Sequence, residues 1–145
     1  EIIQQALRTE NGEITHIGTN EKILKLKNRK TTLFDLNGKS LFPAFVEKNL
    51  EKENIMKEVF YQMKEISKKG YWNDSHEKLA LFLEGFRSLT IKPAIENNED
   101  KNIGSIKVGK LANFIILDKN PLLYNPAKYN EIEVYTTVLE GRLIH

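Results

Sequence analysis

The apolar residues of this chain change period twice, and that alternation limits its fold more than any other feature of the sequence. Residues 1–45 read as short strands separated by turns. Asn11-Gly12 suits a two-residue hairpin turn, because both central positions of such a turn need positive φ; it should join strands at 3–9 and 13–17. Gly18-Thr19-Asn20 then opens a segment at 21–26 that fits a helical turn or a strand equally well. The run 31–36 is β-branched and aromatic, and Asn37-Gly38 turns it back into a strand at 40–45, with Pro43 at that strand's end or edge.

Over residues 50–91 the period lengthens to about 3.6. Ile55, Val59, Met63 and Ile66, with Phe60 beside them, form one stripe of a helix predicted at 51–69, with a basic last turn and Gly70 as its stop. Asn73-Asp74-Ser75 caps a second helix at 76–90, whose buried face is Leu79, Phe82, Leu83 and Phe86; Pro93 should end it, and 96–100 is a polar loop. Strands then return. Gly104 and Gly109 bracket a short strand, Phe114–Leu117 is apolar throughout and suits a strand buried on both faces, and Gly141 closes a hairpin between 132–139 and 143–144. The order is strands, two helices, strands: an α+β fold, mainly β.

The chain has 145 residues, too few for an eight-stranded α/β barrel, which needs roughly 250. A formal net charge of +2, carried mostly by dispersed lysines, is too weak a field to select a phosphate backbone, so no nucleic-acid partner is expected. There is no cysteine, hence no disulfide, thiolate metal site or thiol nucleophile, which suits a reducing compartment. No signal-peptide pattern opens the sequence and no apolar run approaches the ~20 residues of a membrane span, so a cytoplasmic protein without a membrane partner is the expectation.

No catalytic constellation is legible. The three histidines, His16, His76 and His145, lack the i, i+2 or i, i+4 spacing that aims two imidazoles at one ion. They read as an outward strand residue, a first-turn helix residue and a terminal group. Glu96, Glu99 and Asp100 lack the alternating ligands and mid-loop glycine of a calcium loop. No serine sits in a Gly-x-Ser-x-Gly elbow, and Gly104-Ser105 with Gly109-Lys110 departs from the phosphate-loop spacing.

Two stretches carry a resemblance. Residues 11–18, Asn-Gly-Glu-Ile-Thr-His-Ile-Gly, continue to Asp35-Leu36-Asn37-Gly38-Lys39 and Pro43-Ala44-Phe45; residues 103–122 contain Gly104-Ser105-Ile106-Lys107-Val108-Gly109-Lys110-Leu111-Ala112-Asn113 and Leu117-Asp118, followed by Glu140-Gly141-Arg142. Together they resemble the two chain ends of the amidohydrolase superfamily, most closely the large subgroup of metal-dependent amidohydrolases acting on carbon–nitrogen bonds other than peptides. The resemblance implies a composite β-sandwich assembled from both ends. In the family the Pro-Gly-Phe strand runs into a His-x-His metal pair on the first barrel strand; here Asn49 and Glu51 stand at those positions, Ala44 replaces the usual Gly, and Asn113 the usual Asp. A first sandwich strand and the catalytic barrel are expected to be missing.

The resulting expectation is one compact domain: 1–49 as the N-terminal half of the sandwich, 50–92 as a helical connector left from the last barrel helices, and 93–145 as the C-terminal half. Gly12, Gly18, Gly38, Gly104, Gly109 and Gly141 are its structural turns. No catalytic or metal-binding residue and no cofactor are expected in this chain; a divalent metal belongs only to a full-length parent. Two functional readings compete. One is the inactive sandwich part of a metal-dependent hydrolase, truncated relative to its parent. The other is a free-standing protein-interaction module derived from that sandwich, associating with itself or a protein partner through the face the barrel leaves open, where an exposed apolar patch is expected.

Overall fold

The computed structural model describes residues 4–46 and 55–144. The fold is α+β, with two antiparallel sheets and four helices among these residues. Strands β1 (Ala6–Glu10) and β2 (Glu13–Gly18) form a hairpin around Asn11 and Gly12, whose φ values of +52° and +83° are those the tight turn requires. The short helix α1 (Asn20–Leu24) follows, capped by Thr19, whose hydroxyl accepts the Lys22 N–H at 3.2 Å. Gly18 is no turn: it pairs with Ala6 as the last residue of β2, and Thr19, still extended, is the cap from which the helix starts.

The second sheet has the order β3 (Ser40–Pro43), β4 (Phe114–Leu117), β5 (Val134–Leu139), β6 (Arg142–Ile144). Residues 31–36 form no strand, contrary to the expected hairpin with 40–45. The Asn37-Gly38 turn is present, but the partner of β3 is β4, more than 70 residues further along the chain. The reason is burial. All four β4 side chains leave solvent, whereas Leu33 and Phe34 remain exposed. Each β4 side chain buried stabilises the fold by roughly 1.5–3 kcal/mol.

The two faces of β4 organise two cores. Ile115 and Leu117, with Phe42 of β3 and Val134 of β5, face the helices; Phe114 and Ile116, with Leu41 and Val138, face Ile14 of the first hairpin. A bulge between Ile116 and Leu117 lets Val134 and Val138, an even number of residues apart, join opposite cores.

Helices α2 (Ile55–Ser67) and α3 (Ser75–Arg87) pack against the first of these faces. Asp74 caps α3 through the N–H groups of His76 and Glu77. The helices approach closely at Gly85, where an added Cβ would lie 3.2 Å from Met63 Cγ and 3.2 Å from the Val59 carbonyl. Phe82 and Phe86 are buried with the ring of Phe42 against both, while Leu79 is 43% exposed and does not belong to the buried face. Ile66 likewise ends the α2 stripe in solvent.

Gly70 does not stop α2. The left-handed residue is Lys68, at φ +60°, and the Ser67 hydroxyl gathers the helix end by donating to the Met63 carbonyl at 2.8 Å and accepting the Trp72 indole N–H at 3.1 Å. Nor does Pro93 end a helix: it is the third residue of α4 (Ile91–Glu96), where the missing N–H has no intrahelical partner in any case. The stretch between Gly104 and Gly109 is irregular rather than a strand; both glycines adopt positive φ and Lys110 N–H closes a turn on the Lys107 carbonyl. The residues from 121 to 131 form two short 3-10 turns, each started by an Asn-Pro pair.

These assignments separate two positions that share a period on α3. Phe82→Ala is expected to lower the unfolding free energy by about 3–5 kcal/mol through loss of buried area and a residual cavity. Leu79→Ala should cost about 1 kcal/mol or less; denaturant titration of both variants reads the contrast.

Candidate functional site

The residues nominated from the sequence do not converge. Among the described residues no group of three or more His, Asp or Glu side chains could hold a metal ion. His16 is exposed on β2 beside Thr15, whose hydroxyl lies 3.1 Å from its Nδ1; that hydroxyl also accepts from Arg8, which pairs with Glu10 at 3.3 Å. His76 stands in solvent in the first turn of α3, with Nδ1 3.7 Å from Asp74 Oδ1. The backbone N–H groups of His76 and then Glu77 hold the Asp74 carboxyl below its ordinary value, the signature of a helix cap. Asn49, Glu51 and His145 lie outside the described residues.

Charged side chains elsewhere are used in local pairs. A shallow depression of about 350 Å³ on α2 is lined by Tyr61, Lys64, Glu65, Lys68 and Lys69. Lys68 pairs with Glu65 and Lys69 with Glu77, so two of its three cations are already partnered. Glu84 receives Arg87 at 3.0 Å and Lys92 at 3.2 Å, contacts that lower its pKa. No helix among the described residues is long and apolar enough to cross a membrane.

A connected polar arrangement forms a junction around residues 109–113. Ala112, fully buried, donates its N–H to the Gly12 carbonyl at 2.8 Å and accepts the Gly141 N–H on its own carbonyl at 3.0 Å. One peptide segment thus holds the turns of the first and the last hairpin together. Gly12 and Glu140 are in contact there: a Cβ on Gly12 would sit 3.3 Å from Glu140 Cβ. Ile14 is bound from both sides, donating to the Lys110 carbonyl and accepting the Gly109 N–H, each at 2.9 Å. Asn113 completes the junction: its side-chain oxygen accepts the Glu140 N–H at 2.9 Å and its carbonyl accepts the Ala44 N–H at 3.0 Å.

Lys110 supports the junction from beneath. It is buried, and its ammonium donates to the Ser105 hydroxyl at 2.7 Å and the Ile103 carbonyl at 3.2 Å, drawing the glycine-bracketed loop onto itself. Burial pulls its pKa below 10.5; the Asp100 carboxylate opposes that and the Lys107 cation adds to it. The sequence signal for this clasp was the Gly104-Ser105 to Gly109-Lys110 spacing, which excludes a phosphate loop but does not show the lysine turning inward.

Comparison with known proteins bears on this same region. The amidohydrolase family model matches residues 62–145, more than half of the chain and all of the junction except Gly12, Ile14 and Ala44. The chain belongs to the amidohydrolase family. Over 60 residues it is 35% identical to an N-substituted formamide deformylase of Arthrobacter pascens, covering 41% of this chain and 11% of that protein. A solved structure, from work titled "Structural and catalytic characterization of molinate hydrolase", is 29% identical and covers 59% of this amidohydrolase-family chain and 16% of its own, with a TM-score of 0.39. The chain therefore spans less than a fifth of the length of either relative.

Two consequences of the junction are measurable. Asn113→Leu leaves the exposed Glu140 N–H without its side-chain acceptor and should cost about 0.5–1.5 kcal/mol, while Asn113→Asp, which keeps an acceptor, should cost less. For Lys110, the unfolded chain keeps the proton to higher pH than the folded one. The cost of burying its charge is thus present at neutral pH and is relieved as pH rises through the folded pKa toward 10.5. The stability of the unsubstituted protein relative to Lys110→Met should rise across that window in denaturant titrations, the difference cancelling groups that both proteins share.

Proposed function

We propose that this chain is the non-catalytic β-sandwich portion of an amidohydrolase whose complete form hydrolyses carbon–nitrogen bonds other than peptide bonds. The observation that carries this reading is the Ala112 junction, in which residues from both chain ends share one set of hydrogen bonds. Such an arrangement holds two distant chain ends together around whatever lies between them. The packing of Ile14 against Phe114, Ile116 and Val138 supports a sandwich of hairpin on sheet. The name of the deformylase relative, which acts on N-substituted formamides, supports a C–N bond as the parent's target. In this reading a divalent metal and the substrate-recognising loops belong to the parent's barrel, and this chain supplies their scaffold.

The test is the mass of the native protein in its source cells, detected with an antibody against this chain. A species several times heavier than 16.8 kDa is expected. A single species at the chain's own mass would overturn the reading, as would hydrolysis of an N-substituted formamide by the purified chain.

A second reading, a free-standing interaction module, is favoured by one feature: Leu139, Leu143 and Ile144 at the β6 end of the sheet are each more than 40% exposed. It requires association burying at least ~1,000 Å². Sedimentation of the purified chain as a monomer at all concentrations would count against it.

A further inference from the structure

The chain contains two Asn-Gly pairs, Asn11-Gly12 and Asn37-Gly38, and the structure treats them very differently. In both, the asparagine is exposed and left-handed, at φ +52° and +48°, and the glycine follows at φ +83°. An asparagine followed by glycine is open to attack on its own side chain, because glycine has no Cβ to shield its backbone nitrogen. The Gly nitrogen, losing its proton, bonds to the Asn Cγ. The Cγ–Nδ2 bond breaks and the nitrogen leaves as ammonia. Water then opens the five-membered succinimide at either carbonyl, giving aspartate or isoaspartate. Nothing but water is consumed. The ring closes only when the turn opens far enough for the nitrogen to reach Cγ.

That opening is obstructed at residue 11. The Asn11-Gly12 turn closes a ladder running from Ala6–Gly18 to Glu10–Glu13 pairing, and it is gripped from outside. The Gly12 carbonyl accepts the Ala112 N–H at 2.8 Å, and a Cβ built on Gly12 would lie 3.3 Å from Glu140 Cβ. Opening it means breaking the junction. At residue 37 none of this holds. Gly38 is exposed, and a Cβ built on it would meet nothing within 4 Å. The turn is closed by one backbone bond, Lys39 N–H to the Leu36 carbonyl at 3.1 Å, and the residues before it form no ladder. Side-chain contacts at the turn fall beside the Asn-Gly pair: the Asn37 N–H donates to Asp35 Oδ1 at 2.9 Å, Leu36 packs against the Ile14 core and Lys39 Nζ stands 4.5 Å over the Tyr135 ring. Local opening is cheap where few contacts oppose it.

We propose that Asn37 is a site of succinimide-mediated deamidation in the folded protein and that Asn11, with the same dipeptide chemistry, is protected by the Ala112 junction. The product places a second carboxylate beside Asp35 and, as isoaspartate, an extra backbone methylene just before β3. This inference does not depend on the proposed function.

The experiment incubates the folded chain in mildly alkaline buffer, alongside the same chain unfolded in guanidinium chloride, and follows both peptides by digestion and mass spectrometry. In the unfolded chain Asn11 and Asn37 should convert at comparable rates. In the folded chain Asn37 should convert several-fold faster than Asn11. Equal rates in the folded chain, or Asn37 slowed as much as Asn11 relative to the unfolded control, would overturn the proposal. An Asn37→Gln variant should lose the product from its peptide, because the corresponding six-membered ring closes far more slowly; product persisting there would remove the assignment to Asn37.

Discussion

Four consecutive apolar residues, Phe114 to Leu117, lie between two cores and belong to both. A strand of this kind needs cover on each face, since its alternate side chains point to opposite sides of the sheet. The helices α2 and α3 supply one cover and the β1–β2 hairpin the other. Everything else in the architecture follows from meeting that requirement. The strand also dictates why β3 leaves its sequence neighbour at 31–36 and pairs with β4, the ordering entropy of the long intervening chain being offset by apolar burial on both faces.

Just before β4, the same chain segment becomes polar in its backbone and binds the two hairpin turns. The Ala112 peptide is short of alternatives. It is fully buried, so its N–H and carbonyl must find partners within the protein. The partners are Gly12 and Gly141, positions where positive φ brings backbone close to backbone without a Cβ in the way. Ala44 and Asn113 meet in this region through the hydrogen bond between them. Asn113 supplies the side-chain oxygen that accepts the Glu140 N–H.

The surroundings of two of the histidines were legible from local rules. His16 and His76 lie where hydropathy and capping rules put them, on an outward strand position and in a helix first turn, and their neighbours are a threonine hydroxyl and a cap. What could not be read was the inward turn of Lys110. A lysine between a glycine and a leucine carries no local signal for burial; its acceptors, the Ser105 hydroxyl and the Ile103 carbonyl, become available only when positive φ at Gly104 and Gly109 folds the loop around it. Asp118 is similar. It reads as part of a local turn, yet it accepts the N–H of Glu133 across the sheet while Asn120 performs the local capping.

Local patterns in the chain were enough to specify the order of strands, helices and strands, the Asn-Gly turns at 11–12 and 37–38, the cap at Asp74 and the two-sided burial of Phe114–Leu117. Each rests on a period, a dihedral preference or a short-range hydrogen bond, all of which act within a few residues. The partner of β3, the exposure of Leu79, the end of α2 at Lys68 and the junction at Ala112 emerge from long-range packing. Those outcomes depend on which distant surface wins a shared core, and on backbone groups that identify their partners only once burial has removed water from the competition.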